Sequence, residues 1–239
     1  MTESQSVAGG SGWDGALVLG VDTCGSTGSV ALARIEGQKA RILGQKELAG
    51  RSYSATLVAA VGELLTAHAT KLADLAAIVV VNGPGSFTGV RVGLSAVKGM
   101  AEPGQIPVVA VSRLAVLAAK AGADSAALDA HREEVFLMLD SDGEVQELLA
   151  GAEELSQVSK ARPGAPNVIA VCEDAAAEIV TAALGDVELV RIEAATAMDA
   201  IRVCVPAILA GEFADLALLD GHYLRRSDAE IFGDAVQNK

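Results

Sequence analysis

Two stretches of the chain carry residue types that could hold a phosphate. The first is Asp22-Thr23-Cys24-Gly25-Ser26, a carboxylate and hydroxyls in a turn that follows an apolar run. Taken by themselves, Asp22 and Ser26 equally suit a turn, because their side chains satisfy nearby backbone groups. The second is Asn82-Gly83-Pro84-Gly85-Ser86-Phe87-Thr88-Gly89-Val90-Arg91-Val92-Gly93. A P-loop needs Lys and Ser/Thr directly after its last glycine, and here Val90 and Arg91 follow Gly89. A dinucleotide fingerprint needs two residues between its second and third glycines, and here there are three. Neither nucleotide motif fits. Cys24, Ser26 and Ser86 have no histidine close in sequence to activate them. His68, His131 and His222 are far apart and form no HExxH, so no metal site is expected.

The glycines need another explanation. Ala76 to Asn82 is a β-branched run that reads as a strand buried on both faces. Gly83-Pro84-Gly85 breaks it, and Ser86 or Thr88 then caps a helix from Thr88 to Met100. Gly85, Gly89 and Gly93 fall four apart, with Ala96 continuing that side. Each glycine within a helix costs about 1 kcal/mol relative to alanine, so a bare face implies close approach by another backbone. A partner helix is the expected neighbour, and a side chain added at Gly93 is then expected to block docking without unfolding the chain.

The preceding helix, Tyr53 to Thr70, has a similar design. Leu57, Val58, Val61, Leu64, Leu65 and His68 gather on one side, and Ala55, Ala59, Gly62, Thr66 and Ala69 on the other. Arg91 and Lys98, the two charges of the following helix, share a stripe with Ser95. Consecutive helices with small-residue faces predict a partner interface made of Ala55, Ala59, Gly62, Thr66, Gly85, Gly89, Arg91, Gly93, Ala96 and Lys98.

The elements that position these residues follow from the rest of the chain. Of 239 residues, 51% are hydrophobic and only 3% aromatic, a globular composition. Lys plus Arg total 18 against 31 Asp plus Glu, giving −13. Such a surface repels phosphate backbones, so contact with RNA is expected only through another protein. Cys24, Cys172 and Cys204 lack metal spacing and suit reduced thiols. The Ser/Gly-rich start, Met1 to Gly12, reads as a loose tail, and no window has the roughly 18 apolar residues of a membrane span.

Strands at Ala16–Asp22, Ser29–Ile35 and Ala40–Leu48 precede the first helix. The buried strand and glycine-bearing helix come next, then a strand at Pro107–Val111 and a helix ending at Ala121. Strands at 125–130, 135–140 and 144–149, a helix at 153–159, a strand at 167–171, a helix at 173–184, a strand at 187–191 and a helix at 196–210 repeat that order. The offset is roughly 108 residues. The pattern is an α/β chain built from a duplicated βββαβαβα unit.

Asn82 to Gly93 closely resembles the signature of the bacterial TsaB family, also called YeaZ. Asp129-Ala130-His131-Arg132-Glu133-Glu134-Val135 resembles that family's D-A-R-R-x-E-V segment, with His131 where Arg is usual, and Tyr223-Leu224-Arg225-Arg226 matches a family-like tail. The resemblance implies a two-lobed actin/sugar-kinase/Hsp70-like (ASKHA) fold with a degenerate nucleotide site. One lobe would comprise 14–111 plus 196–226 and the other 112–195, with a disordered tail at 1–13 and a C-terminal tail at 227–239. Asp22, Thr23 and Ser26 would be a vestigial phosphate loop. The second loop would lie at Ala130-His131-Arg132-Glu133, which has no glycine, and Glu133 and the following Glu134 would repel phosphate.

The resemblance further implies a cytoplasmic, non-catalytic subunit without cofactor or metal. It would bind and activate TsaD for threonylcarbamoyl transfer to adenosine 37 of tRNA, with TsaE in a ternary complex, and would form a homodimer when alone. Contact with tRNA would be indirect. TsaD proteins carry a metal-binding His-x-x-x-His on the first helix, where this chain has only His68. The alternative is a small-molecule kinase of the same superfold, with Asp22, Arg91 and Lys98 as its polar set. A metallopeptidase is a third reading.

Overall fold

The computed structural model describes residues 12–49, 52–141, 143–161, 168–185 and 187–225. The expected tail at 227–239 and residues 1–11 of the N-terminal tail lie outside them, as do Asn167 and Arg226. Trp13, which was expected to belong to that tail, packs its ring 5.7 Å from that of Phe213.

Ten strands and six helices lie among the described residues: β1 (Leu17–Asp22), β2 (Thr27–Glu36), β3 (Lys39–Ala49), α1 (Tyr53–Ala67), β4 (Leu75–Val81), α2 (Phe87–Gly104), β5 (Val108–Val111), α3 (Arg113–Ala121), β6 (Ser125–Asp129), β7 (Val135–Ser141), β8 (Glu144–Ala150), α4 (Ala152–Ala161), β9 (Val168–Val171), α5 (Asp174–Leu184), β10 (Glu188–Arg191) and α6 (Ala197–Ala210). The chain divides into two units, residues up to Val116 with Ala195–Gly221, and Leu117–Ala194 with the residues from His222 onward.

The first unit holds a sheet in the order β3-β2-β1-β4-β5. β1 runs antiparallel to β2 and parallel to β4, and its LVLGVD sequence is buried almost throughout. Side chains alternate faces along a strand, so adjacent residues of β2 show which helix covers which face. The Cβ position of Gly28 meets the Tyr53 ring of α1, whereas the Ser29 hydroxyl accepts the Ala197 N–H of α6 at 2.8 Å. Hence α1 and α6 cover opposite faces. α6 belongs by chain order to the second repeat yet packs on the first sheet. It starts at a Thr196/Asp199 capping box and stops at Gly211 in left-handed backbone.

The second unit holds a sheet in the order β10-β9-β6-β7-β8, which is the first order with five added to each strand number and read from the other edge. Leu137, Leu139, Leu155, Ile169, Val171 and Val180 form its core beneath α4 and α5. The duplication expected from element order is therefore present in the hydrogen-bonded topology. Residues His222–Arg225 group with this unit, whereas the sequence assigned everything up to 226 to the first.

Candidate partner face and the closed phosphate loop

α1 buries Tyr53, Leu57, Ala60, Val61, Leu64 and Leu65. Its other side leaves Ala55, Ala59, Gly62 and Thr66 exposed, as the spacing predicts. Val58 joins them at 63% exposure, which corrects its placement with the buried leucines. Helical spacing carried the signal, since Val58 sits three residues from Ala55 and four from Gly62. On α2, Arg91 is exposed, and its guanidinium lies 3.8 Å from the centre of the Phe87 ring, a cation–π contact one turn away. Ala96 and Lys98 are half-buried. Tyr53, Val58, Phe87, Arg91 and Val92 line an open cleft of about 480 Å³ between the two helices. Phe87 was missed because it sits at the helix start, where amphipathic periodicity is weakest.

The glycines do not belong to this face. A Cβ on Gly85 would overlap the Cys24 carbonyl, one on Gly89 the Thr23 carbonyl, and one on Gly93 the Thr23 hydroxyl. The backbone that approaches α2 is the turn after β1 of the same unit. Gly85, Gly89 and Gly93 are thus withdrawn from the predicted interface, and the expectation for a side chain at Gly93 reverses. Ser86 is the N-cap, accepting the Gly89 N–H at 3.2 Å; Thr88 is not.

The same packing closes the candidate phosphate loop. The Thr23 hydroxyl donates to the Gly89 carbonyl at 2.7 Å, and the Cys24 carbonyl accepts the Ser86 N–H at 2.8 Å. The Cys24 thiol donates to the Val81 carbonyl at 3.2 Å, and the Tyr53 hydroxyl donates to the Gly25 carbonyl at 2.9 Å. Asp22 is buried and accepts the Cys24 N–H at 2.9 Å. Burial raises its carboxyl pKa, opposed by the Arg113 charge and by the hydrogen bonds from Cys24. Arg113 is itself buried, with a guanidinium nitrogen 3.1 Å from the Cβ position of Gly25. Of the three residues expected to bind phosphate, Asp22 and Thr23 are turned inward and Ser26 is exposed.

No activated nucleophile emerges among these residues. Burial and the neighbouring Asp22 carboxylate hold Cys24 well above the ordinary thiol range, and burial pushes Tyr53 up to about 12. His68 packs over Gly44 of β3, with Nε2 2.6 Å from its Cβ position. Among the described residues no three His, Cys, Asp or Glu side chains are placed to hold a metal, and no helix is long and apolar enough to cross a membrane.

Residues 41–217 match the family model described as TsaD: tRNA N6-adenosine threonylcarbamoyltransferase. The chain is 35% identical over 125 residues to the tRNA threonylcarbamoyladenosine biosynthesis protein TsaB of Escherichia coli (strain K12), a match covering 50% of this chain and 52% of that protein. It is 36% identical over 123 residues to the protein of the same name from Bacillus subtilis (strain 168), again covering 50% and 52%. The matched region thus spans about half the length of these curated relatives. The solved structure of YeaZ from Pseudomonas aeruginosa superposes with a TM-score of 0.68 at 27% identity, covering 87% of this chain and 100% of that one.

Proposed function

Because this chain belongs to the TsaB/YeaZ branch of the tRNA N6-adenosine threonylcarbamoyltransferase family, we propose that it is a non-catalytic subunit in threonylcarbamoyladenosine biosynthesis. It binds TsaD through α1 and α2 and activates it for transfer to adenosine 37 of tRNA. TsaE joins the assembly, and the same face pairs two copies when the chain is alone. The work is cytoplasmic, and tRNA is contacted through the partners, in keeping with a net charge of −13.

The observation that carries this function is the exposed face of α1 and α2. Exposed Val58 shares its side of α1 with Ala55, Ala59 and Gly62, and with Phe87 it lines the open cleft between α1 and α2, a largely apolar surface that a second pair of helices can approach. The kinase alternative has less support, since the Thr23 hydroxyl is engaged with the Gly89 carbonyl of α2 and the Asp22 carboxylate with the Cys24 N–H.

The test uses Val58→Asp in cells whose own gene is deleted. Desolvating a carboxylate at the centre of an apolar interface is expected to weaken association with TsaD by about tenfold or more. At dilutions where the wild type is monomeric, the variant should melt like it, because Val58 is exposed in the single chain. Threonylcarbamoyladenosine in bulk tRNA should be restored by the wild type and poorly by the variant. Equal restoration, with unchanged co-elution with TsaD, would overturn the proposed interface.

A further inference from the structure

His131, Arg132 and Glu133 join β6 to β7 with φ of 61°, 58° and 62°. Left-handed backbone suits glycine, because a Cβ crowds the carbonyl that follows it, and none of these residues is glycine. Consecutive non-glycine residues in this region persist only where the surroundings over-determine them. Local bonds supply part of that restraint. The Ala130 N–H donates to the Glu134 carbonyl at 3.0 Å, and the Glu134 N–H to the His131 carbonyl at 3.2 Å. One Asp129 carboxylate oxygen accepts the His131 N–H at 2.8 Å, and the other lies 2.9 Å from His131 Nδ1. Glu173, at the start of α5, accepts the Asp129 N–H at 2.6 Å and so fixes the end of β6.

A further restraint comes from far along the chain. The Arg225 guanidinium donates to the Ala130 carbonyl at 3.0 Å and to the Glu134 carboxylate. Ala130 and Glu134 bracket the left-handed residues, so one side chain grips both ends of the turn. Three positions earlier, His222 Nε2 lies 2.8 Å from the Glu147 carboxylate of β8, and that carboxylate side chain is only 11% exposed. The stretch His222–Arg225 is therefore pinned at both ends to the β6–β7–β8 side of the second sheet.

We propose that His222–Arg225 is a strap that holds the 131–133 turn in its left-handed form, with Arg225 as the positioning residue. Docked, the strap presents the exposed side chains of His131, Arg132 and Glu133 in one fixed arrangement at the end of β6 and β7. Lifted, it lets the turn relax to right-handed or extended backbone. The strap acts on the second unit alone and does not depend on the function proposed above.

Amide hydrogen exchange on the full chain tests this device. Arg225→Gln removes the ion pair with Glu134, and exchange at residues 131–134 is expected to rise by roughly tenfold, with protection of β6, β7 and β9 unchanged. Unchanged exchange in the turn overturns the proposal. So does an equal rise across β6, β7 and β9, which marks loss of the whole sheet. A second variant separates strain from ordinary anchoring. With Arg132→Gly and Glu133→Gly, the turn adopts positive φ at little steric cost, and adding Arg225→Gln should then change its exchange far less. If Arg225→Gln loosens the glycine turn as much as the wild-type turn, Arg225 is an ordinary anchor that restrains no left-handed backbone, and the proposal falls.

Discussion

The hydroxyl oxygen of Thr23 stands where the first side-chain carbon of any larger residue at Gly93 would have to go. That hydroxyl also donates to the Gly89 carbonyl at 2.7 Å, one helical turn earlier on α2. Thr23 thus locks the turn after β1 to the bare side of α2.

Substitution of the two glycines should therefore cost stability unequally. At Gly89 an added Cβ meets the Thr23 backbone carbonyl, which cannot rotate away, so overpacking of about 1–3 kcal/mol should outweigh the gain of about 1 kcal/mol in helix propensity. At Gly93 the obstacle is a hydroxyl, so Gly93→Ala should lower the melting temperature less. Thr23→Ala removes that obstacle, and Gly93→Ala should cost less in its background, with a coupling of about 0.5 kcal/mol or more. The penalty at Gly89 should persist there. Melting curves of the two glycine variants, each with and without Thr23→Ala, decide it. A Gly89→Ala variant that melts like the wild type would show that the turn is loose.

What the sequence could reveal here follows the range of each interaction. Element order was legible because β-branched runs, Gly/Pro breaks and helix caps are local signals, and the identical order of the two sheets adds only their repetition. The spacing of Gly85, Gly89 and Gly93 announced a close neighbour, which is a turn instead of the expected helix: backbone carbonyls at Gly85 and Gly89, and the Thr23 hydroxyl at Gly93. It could not say which neighbour, because Thr23 lies 66 residues before Gly89 and no local pattern links them. Val58 was legible by position and misread by type, since a valine on a small-residue face looks like core until burial is known. The grip of Arg225 on Ala130 spans 95 residues and left no periodic trace.

The pair Asp22 and Arg113 predicts a pH-dependent defect. Burial raises the Asp22 pKa and Arg113 opposes it, so Arg113→Met should send it higher. A raised carboxyl pKa favours the protonated folded state. Its stabilising effect is complete below the unfolded carboxyl pKa and is lost as pH rises through the folded value. Arg113→Met should therefore be destabilised by about 3–5 kcal/mol at neutral pH, where a buried carboxylate is left without this cation. The deficit should shrink in acid as Asp22 takes up a proton. Adding Asp22→Asn should recover much of the neutral-pH loss, since the amide oxygen can still accept the Cys24 N–H. Urea unfolding at neutral and acidic pH reads both effects. A deficit that does not change with pH would place the role of Arg113 in packing alone.

His222 should titrate in the opposite sense to a buried lone imidazole. Its hydrogen bond to Glu147 raises its pKa, burial lowers it, and the Glu147 charge raises it again, with a net upward shift. A histidine with a raised folded pKa contributes stability that is full below its unfolded value, near 6.5, and that fades as pH climbs through the folded value. The contact between His222 and Glu147 should accordingly be firm in mild acid and weaken toward alkaline pH. Glu147→Gln removes the stabilising carboxylate but leaves the burial, so the His222 pKa should drop to or below the ordinary imidazole range. NMR titration of the His222 ring in both proteins measures the shift directly. Amide protection at residues 222–225, corrected for the intrinsic rise of exchange with pH, should fall across the same window in the wild type. In Glu147→Gln the corrected protection should lose most of that dependence. If His222 in the wild type titrates at or below the ordinary value, or if Glu147→Gln leaves it unmoved, the pair does not anchor the chain through charge.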